Sequence, residues 1–169
     1  VVHQELGIVS MRVSLRHGDT QASAFGMGTF ASRSMVMAGG AVAKACRGLR
    51  AKMELIAAHL LKCQRSELTF SDCVISGPNG SVGFDEVGRI AHLRQEALPP
   101  GVEPLLEFTA TYEPGVDTGV FTYSTQAAVV AVDPDTGKVD LLDYAVVEDC
   151  GTLVNPMIVD GQIIGGIAQ

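Results

Sequence analysis

Basic residues are scarce: 12 Lys and Arg stand against 19 Asp and Glu, for a formal net charge of −7. That balance argues against a nucleic-acid partner, because phosphate backbones are met by Lys and Arg. No run of basic residues suggests an anionic membrane surface. No apolar stretch approaches the ~20 residues that a membrane-spanning helix needs. The opening Val1-Val2-His3-Gln4-Glu5-Leu6-Gly7 lacks the basic-then-apolar layout of a secretion signal. A cytoplasmic location without membrane insertion is therefore expected. The cysteines, Cys46, Cys63, Cys73 and Cys150, include no Cys-x-x-Cys pair. Their spacing fits neither a zinc site nor an iron–sulfur loop, so free thiols in a reducing compartment are expected. There is no Gly-x-Ser-x-Gly elbow and no Gly-x-x-x-x-Gly-Lys-[Ser/Thr] loop, which leaves a hydrolase nucleophile and a nucleotide P-loop unsupported. His3, His59 and His92 have no second ligand at metal spacing.

What is present is an ordinary globular composition, 47% hydrophobic and 18% charged, in 169 residues. That length is enough to bury a core. The pattern predicts an α+β fold with a long helix, β hairpins and a C-terminal helix. Residues 1–7 read as the end of a helix stopped by Gly7. Residues 9–17 alternate in part and read as a strand, followed by a glycine-containing loop over 18–29. Residues 32–63 predict the long helix, with Ala45, Leu49, Met53, Ile56 and Leu60 on one face. Gly39-Gly40 weakens its start by ~1 kcal/mol per glycine and suggests close approach of a backbone or ligand. Short strands are predicted at 68–70, 73–76 and 81–84, the last two joined by the Pro78-Asn79-Gly80 turn. A short helix over 84–94 follows, with Asp85 and Glu86 in its first turn. Residues 105–112 read as a strand. Two long strands, 121–132 and 138–148, are joined through Asp133-Pro134-Asp135-Thr136-Gly137. Asn155 and Pro156 open a final helix. Both ends of the sequence read as cut through elements, so residues 1–169 are expected to be one partial domain of a larger subunit.

Two segments carry candidate chemistry. The first is Gly28, Thr29, Phe30, Ala31, Ser32, Arg33 and Ser34, just after Gly26, at the start of the long helix. First-turn amides lack intrahelical partners and the helix dipole favours negative charge there. Three hydroxyls add donors and acceptors, and the glycines let a ligand approach the backbone. A simple N-cap remains the alternative, although one capping residue would suffice. The second segment follows Asp149-Cys150-Gly151 and contains Gly161 and Gln162 inside an apolar helix. A buried amide there needs a polar partner; an exposed one does not. His17-Gly18-Asp19-Thr20 reads as a turn. Glu148 and Asp149 read as strand-end groups.

Taken in order, these segments resemble the xanthine dehydrogenase family of molybdenum hydroxylases, in the branch of carbon monoxide dehydrogenase and aldehyde or isoquinoline oxidoreductase large subunits. The resemblance rests on Gly18-Asp19-Thr20, Gly28-Thr29-Phe30-Ala31-Ser32-Arg33-Ser34, Asp133-Pro134-Asp135-Thr136-Gly137, Asp149-Cys150-Gly151, Asn155-Pro156 and Gly161-Gln162-Ile163-Ile164-Gly165-Gly166. It covers essentially the whole chain. It implies molybdopterin, as such or as its cytosine dinucleotide, carrying molybdenum. Thr29, Ala31, Ser32 and Ser34 match positions lining the pterin or its nucleotide extension, and Gln162 matches a glutamine reaching the cofactor from a second helix. The hydroxyl-rich helix tip and this amide would then converge on one cavity. The implied reaction is hydroxylation of a small-molecule substrate with water as the oxygen source, through a glutamate base expected beyond Gln169. No iron–sulfur or flavin motif is present, so the resemblance implies iron–sulfur and flavin subunits or domains as partners. Two other readings remain open. One is a non-catalytic interaction domain that keeps the fold without the cofactor. The other is an unrelated phosphate-binding enzyme using the helix tip alone, with Gln162 far from Ser32.

Overall fold

The computed structural model describes residues 1–21, 26–115 and 121–169; the predicted loop at 18–29 thus falls partly outside the described residues. The fold is α+β, as expected, and the chain divides into two compact units, Val1–Gly115 and Val116–Gln169.

The first unit holds the core. Helix α1 (Val2–Leu6) stops where Gly7 turns left-handed at φ 68°, and only glycine takes that conformation without a steric cost. Helix α2 (Gly40–Leu61) is the long helix, entered through a π-helical turn at Met35–Gly39. Its predicted apolar face is the face that packs: Met53 and Ile56 are buried, and Leu49 and Leu60 lie against the cluster they begin. Strands β1 (Thr69–Ser71), β2 (Val74–Gly77) and β3 (Gly80–Gly83) form an antiparallel meander in that order. Ile75 pairs with Val82 and both face the core. Helix α3 (Phe84–Leu93) closes it with Val87, Ile90 and Ala91.

Turn chemistry holds these parts together. The Asn79 amide donates to the carbonyls of Leu61 and Lys62, both at 3.0 Å. One residue of the predicted Pro-Asn-Gly turn therefore satisfies carbonyls that the end of α2 leaves open. Arg50 donates to the Glu5 carbonyl at 2.8 Å and its guanidinium lies 4.1 Å from the centre of the Phe70 ring, joining α1, α2 and β1.

Two predicted strands are absent. Residues 9–17 contain a 3-10 turn at Ser10–Arg12 and no strand; Met11 is 94% exposed. Alternation alone cannot hold a strand whose backbone groups find no ladder partner. Residues 105–112 are extended but pair with no strand among the described residues. They run along α2 instead. Lys52 donates to the Pro104 carbonyl at 2.9 Å and Lys44 to the Thr111 carbonyl at 3.0 Å. The Leu106 N–H donates to Nε2 of His92 at 3.1 Å, and the Leu105 N–H to the Ala91 carbonyl at 2.9 Å. The rings of Phe108 and Tyr112 rest over Gly48 and Gly40, where an added Cβ would collide with them. Gly40, Lys44, Gly48 and Lys52 recur every four residues and so share one helix face. The glycines admit rings and the lysines meet carbonyls, so the helix takes the place of a partner strand.

The second unit contains a two-stranded antiparallel ribbon, β4 (Tyr123–Val132) and β5 (Val139–Asp149), and helix α4 (Pro156–Ala168). Pairing runs from Tyr123 with Asp149 to Val132 with Val139, and shifts between Val129–Asp143 and Val130–Leu141. Leu142 is thus the extra residue of a bulge. Asp133 organises the turn: its carboxylate accepts from the Asp135 N–H at 2.9 Å and the Thr136 hydroxyl at 2.7 Å. Those bonds hold its carboxyl below the usual carboxylate range, the Thr136 hydroxyl contributing most.

Candidate functional site

The first candidate segment is a strained turn rather than the smooth helix start predicted from residue 32. Ala31 and Ser32 sit at φ 51° and 52°, and Gly28 at φ 74°. Left-handed backbone costs a residue with a Cβ roughly 1–2 kcal/mol. Two such residues in succession are uncommon, and strain of this kind collects where a backbone is shaped for a task. Regular helix begins only after the π-helical turn, a geometry often found at functional positions.

The turn presents donors. Among the described residues, the N–H groups of Thr29, Phe30, Ala31 and Ser32 donate to no backbone carbonyl, whereas the Arg33 N–H reaches the Phe30 carbonyl at 3.3 Å. The Thr29 and Ser34 hydroxyls are hydrogen-bonded to each other. Thr29, Ser32 and Ser34 are exposed. A Cβ placed on Gly26 or Gly28 would meet nothing within 4 Å, so the backbone there is open to a ligand. No carboxylate lies within residues 26–35. Hydroxyls and available amides, without a competing acid, form a donor set suited to oxygen-rich or anionic groups such as a ring carbonyl or a phosphate.

Arg33 does not extend from this turn. Its Nε and an Nη donate to the Gly28 carbonyl at 3.2 and 3.0 Å. Its guanidinium lies 3.9 Å from the centre of the Phe30 ring.

The second candidate segment belongs to the other unit. Gly151 turns the chain at φ 74°, with its N–H on the Asp149 carboxylate at 3.0 Å. Asn155 precedes α4 and Pro156 opens it, as predicted, but the Asn155 side chain makes no capping bond. Its main-chain carbonyl accepts from the Ile158 and Val159 N–H groups instead. Gly161 and Gln162 lie in the second turn of α4, both exposed. Added Cβ atoms at Gly161, Gly165 and Gly166 would meet nothing within 4 Å. Among the described residues, no group of three His, Cys, Asp or Glu side chains is placed to hold a metal ion, and no helix is long and apolar enough to cross a membrane.

The positive φ values at Ala31 and Ser32 and the inward fold of Arg33 could not be anticipated. Neither alanine nor serine signals a left-handed backbone, and an arginine at a helix start usually faces solvent. The placement of the Tyr112 ring over Gly40, just past the π-helical turn, also carried only half a signal, the paired glycines.

The chain belongs to the family of molybdopterin cofactor-binding domains, whose model matches residues 1–169. It is 34% identical, over its whole length, to the carbon monoxide dehydrogenase large chain of Hydrogenophaga pseudoflava, of which it spans 21%. It is 35% identical to the nicotine 6-hydroxylase large subunit of Paenarthrobacter nicotinovorans, over 97% of this chain and 20% of that protein. The crystal structure of quinoline 2-oxidoreductase from Pseudomonas putida 86 superposes with a TM-score of 0.86 and 35% identity, over 99% of this chain and 21% of that one. The chain thus spans about a fifth of the length of the relatives it matches.

Proposed function

We propose that this chain forms part of the cofactor site of a molybdenum hydroxylase. In the full-length protein the turn at residues 28–34 would hold the molybdopterin cofactor. The observation that carries this reading is the pair of strained residues, Ala31 and Ser32, which expose amides and hydroxyls in a segment free of carboxylates. The N–H groups of Thr29 to Ser32, which have no backbone acceptor among the described residues, and the hydroxyls of Thr29, Ser32 and Ser34 would bond ring and phosphate oxygens, whether the pterin is bare or extended as the cytosine dinucleotide. Gly161 and Gln162 form a separate part of the proposal: the Gln162 amide would pair with polar groups of the cofactor, giving a purpose to an amide set in an apolar helix. When bound, the cofactor supplies the oxidation-reduction chemistry, and the protein supplies binding and orientation.

Oxidation of a carbon centre in a small molecule is the reaction proposed: the names of the relatives support an N-heterocycle or carbon monoxide, and the family resemblance adds an aldehyde. Electrons would leave through iron–sulfur and flavin groups on other domains or chains, in the cytoplasm.

The test is molybdenum and pterin content of the full-length protein produced with cofactor assembly intact. Stoichiometric pterin is expected, with Ser32→Ala and Gln162→Leu each retaining several-fold less, because each leaves a buried polar group of the ligand without a partner. A pterin-free wild type would end the reading and leave a non-catalytic domain as its successor. Undiminished retention in Gln162→Leu would remove only the helix α4 part.

A further inference from the structure

We infer that Arg33 is a positioning residue: with Phe30 it clamps the strained turn in the shape that binds cofactor, and it does not touch the cofactor itself. The inference rests on the reading of residues 28–34 as the cofactor-binding turn.

The guanidinium is already committed. Two of its N–H groups converge on the Gly28 carbonyl, and its face covers the Phe30 ring. The Arg33 N–H closes the same loop from the backbone side by reaching the Phe30 carbonyl. Arg33 thus ties the residue before Thr29 and the residue before Ala31 to the start of the helical run. Between those ties lie Ala31 and Ser32, whose positive φ values would relax toward the ordinary region if the ends were free. The Met37 N–H donates to the Arg33 carbonyl at 2.9 Å and carries the same register into the π-helical turn.

The choice of residue types follows. A planar fork can bond one carbonyl through two nitrogens while stacking on a ring; an ammonium group cannot do both. Phe30 offers the ring on which that fork stacks, and Arg33 covers its face at 3.9 Å from the centre. A cation meant for a ligand phosphate would need only its charge, and lysine would serve.

The experiment compares wild type, Arg33→Ala, Arg33→Lys, Phe30→Leu and the Arg33→Ala/Phe30→Leu double variant in the full-length protein. Amide hydrogen exchange over residues 33–40 is followed in protein made without cofactor, and pterin retention in protein made with it. The clamp predicts exchange faster by on the order of tenfold in Arg33→Ala, from loss of the stacked and bonded cation. Arg33→Lys and Phe30→Leu should do nearly the same, and the double variant should be no faster than the singles. Pterin retention should fall in parallel, with lysine failing to rescue it. Unchanged exchange in Arg33→Ala would overturn the clamp. So would a lysine variant that keeps wild-type pterin while alanine loses it, since that marks a direct charge contact. Should Arg33→Ala fail to fold, Phe30→Leu decides by the same exchange measurement. A wild type without pterin defeats the functional reading alone, because the exchange comparison needs no cofactor.

Discussion

Replacing a helical glycine by alanine ordinarily stabilises a helix by about 1 kcal/mol. The same substitution at three positions of this chain should give three different results. At Gly88 in α3, an added Cβ meets nothing within 4 Å, so the full gain is expected. At Gly48, the Cβ would lie 2.6 Å from Cε1 of Phe108, a ring 51% exposed, which must swing aside. Burying a large apolar side chain fully is worth about 1.5–3 kcal/mol, so freeing a half-buried ring costs about 1 kcal/mol and cancels the gain. At Gly40, the Cβ would lie 2.6 Å from Cγ of Tyr112, at the root of the ring, where rotation gives little relief. Tyr112 is 38% exposed, and its displacement also pulls Thr111 from Lys44. The loss there is on the order of 2 kcal/mol, which outweighs the helical gain and leaves a net destabilisation of about 1 kcal/mol. Urea unfolding followed by far-ultraviolet circular dichroism should therefore rank the midpoints Gly88→Ala above wild type, Gly48→Ala close to it and Gly40→Ala below it. If all three rise together, residues 105–112 do not rest on α2 and the account of that segment is wrong.

Three further outcomes follow from the same structure. Ile75→Ala should lower stability by about 2–5 kcal/mol, since Ile75 is fully buried against Val82 and α2, and urea midpoints will measure it. Asp133 has a folded-state pKa below its unfolded one, so its contribution is present above the ordinary carboxylate range and is lost as pH falls through the folded value. Exchange of the Asp135 and Gly137 amides should accordingly quicken at acid pH, and Asp133→Asn should flatten that dependence; an unaltered profile would show that the carboxylate does not organise the turn. Cys46 should be the slowest of the four thiols to alkylate near neutral pH, because burial, assisted by the nearby Glu5 charge, pushes its thiol up; mass mapping after brief alkylation reads the order.

Much of this fold was legible because the decisive signals were local. Gly7 stops α1, Pro78-Asn79-Gly80 turns between β2 and β3, and the three- and four-residue spacing through Met53 and Ile56 marks the buried face of α2. The strand expected over 105–112 failed for a reason that no local reading contains. Its partners are Lys44 and Lys52, some fifty to seventy residues earlier by the bonded pairs, and Gly40 and Gly48 on the same face, which admit its rings. The paired Gly39-Gly40 did announce close approach, but of a side-chain ring rather than a backbone or ligand. In the candidate turn, composition indicated hydroxyls and amides at a helix start. It gave no warning that Ala31 and Ser32 would be left-handed, because the cause is a closure made by Arg33 and Phe30.

The β4–β5 ribbon separates pattern from cause in another way. Strand register is usually fixed by which face is buried, since a slip of one residue turns every side chain over. Within this chain nearly every residue of both strands is exposed, so burial against the chain's own residues does not choose. The choice falls to the turn at Asp133, whose carboxylate bonds fix where the strands leave it, and the pairing then shifts once, at the Leu142 bulge. The hydrogen bond between Tyr144 and Gln126 crosses the ribbon on the far side of that bulge and holds the shifted register. The hairpin was predictable from Asp133 to Gly137 because in this ribbon the turn, more than the alternation of the strands, sets the pairing.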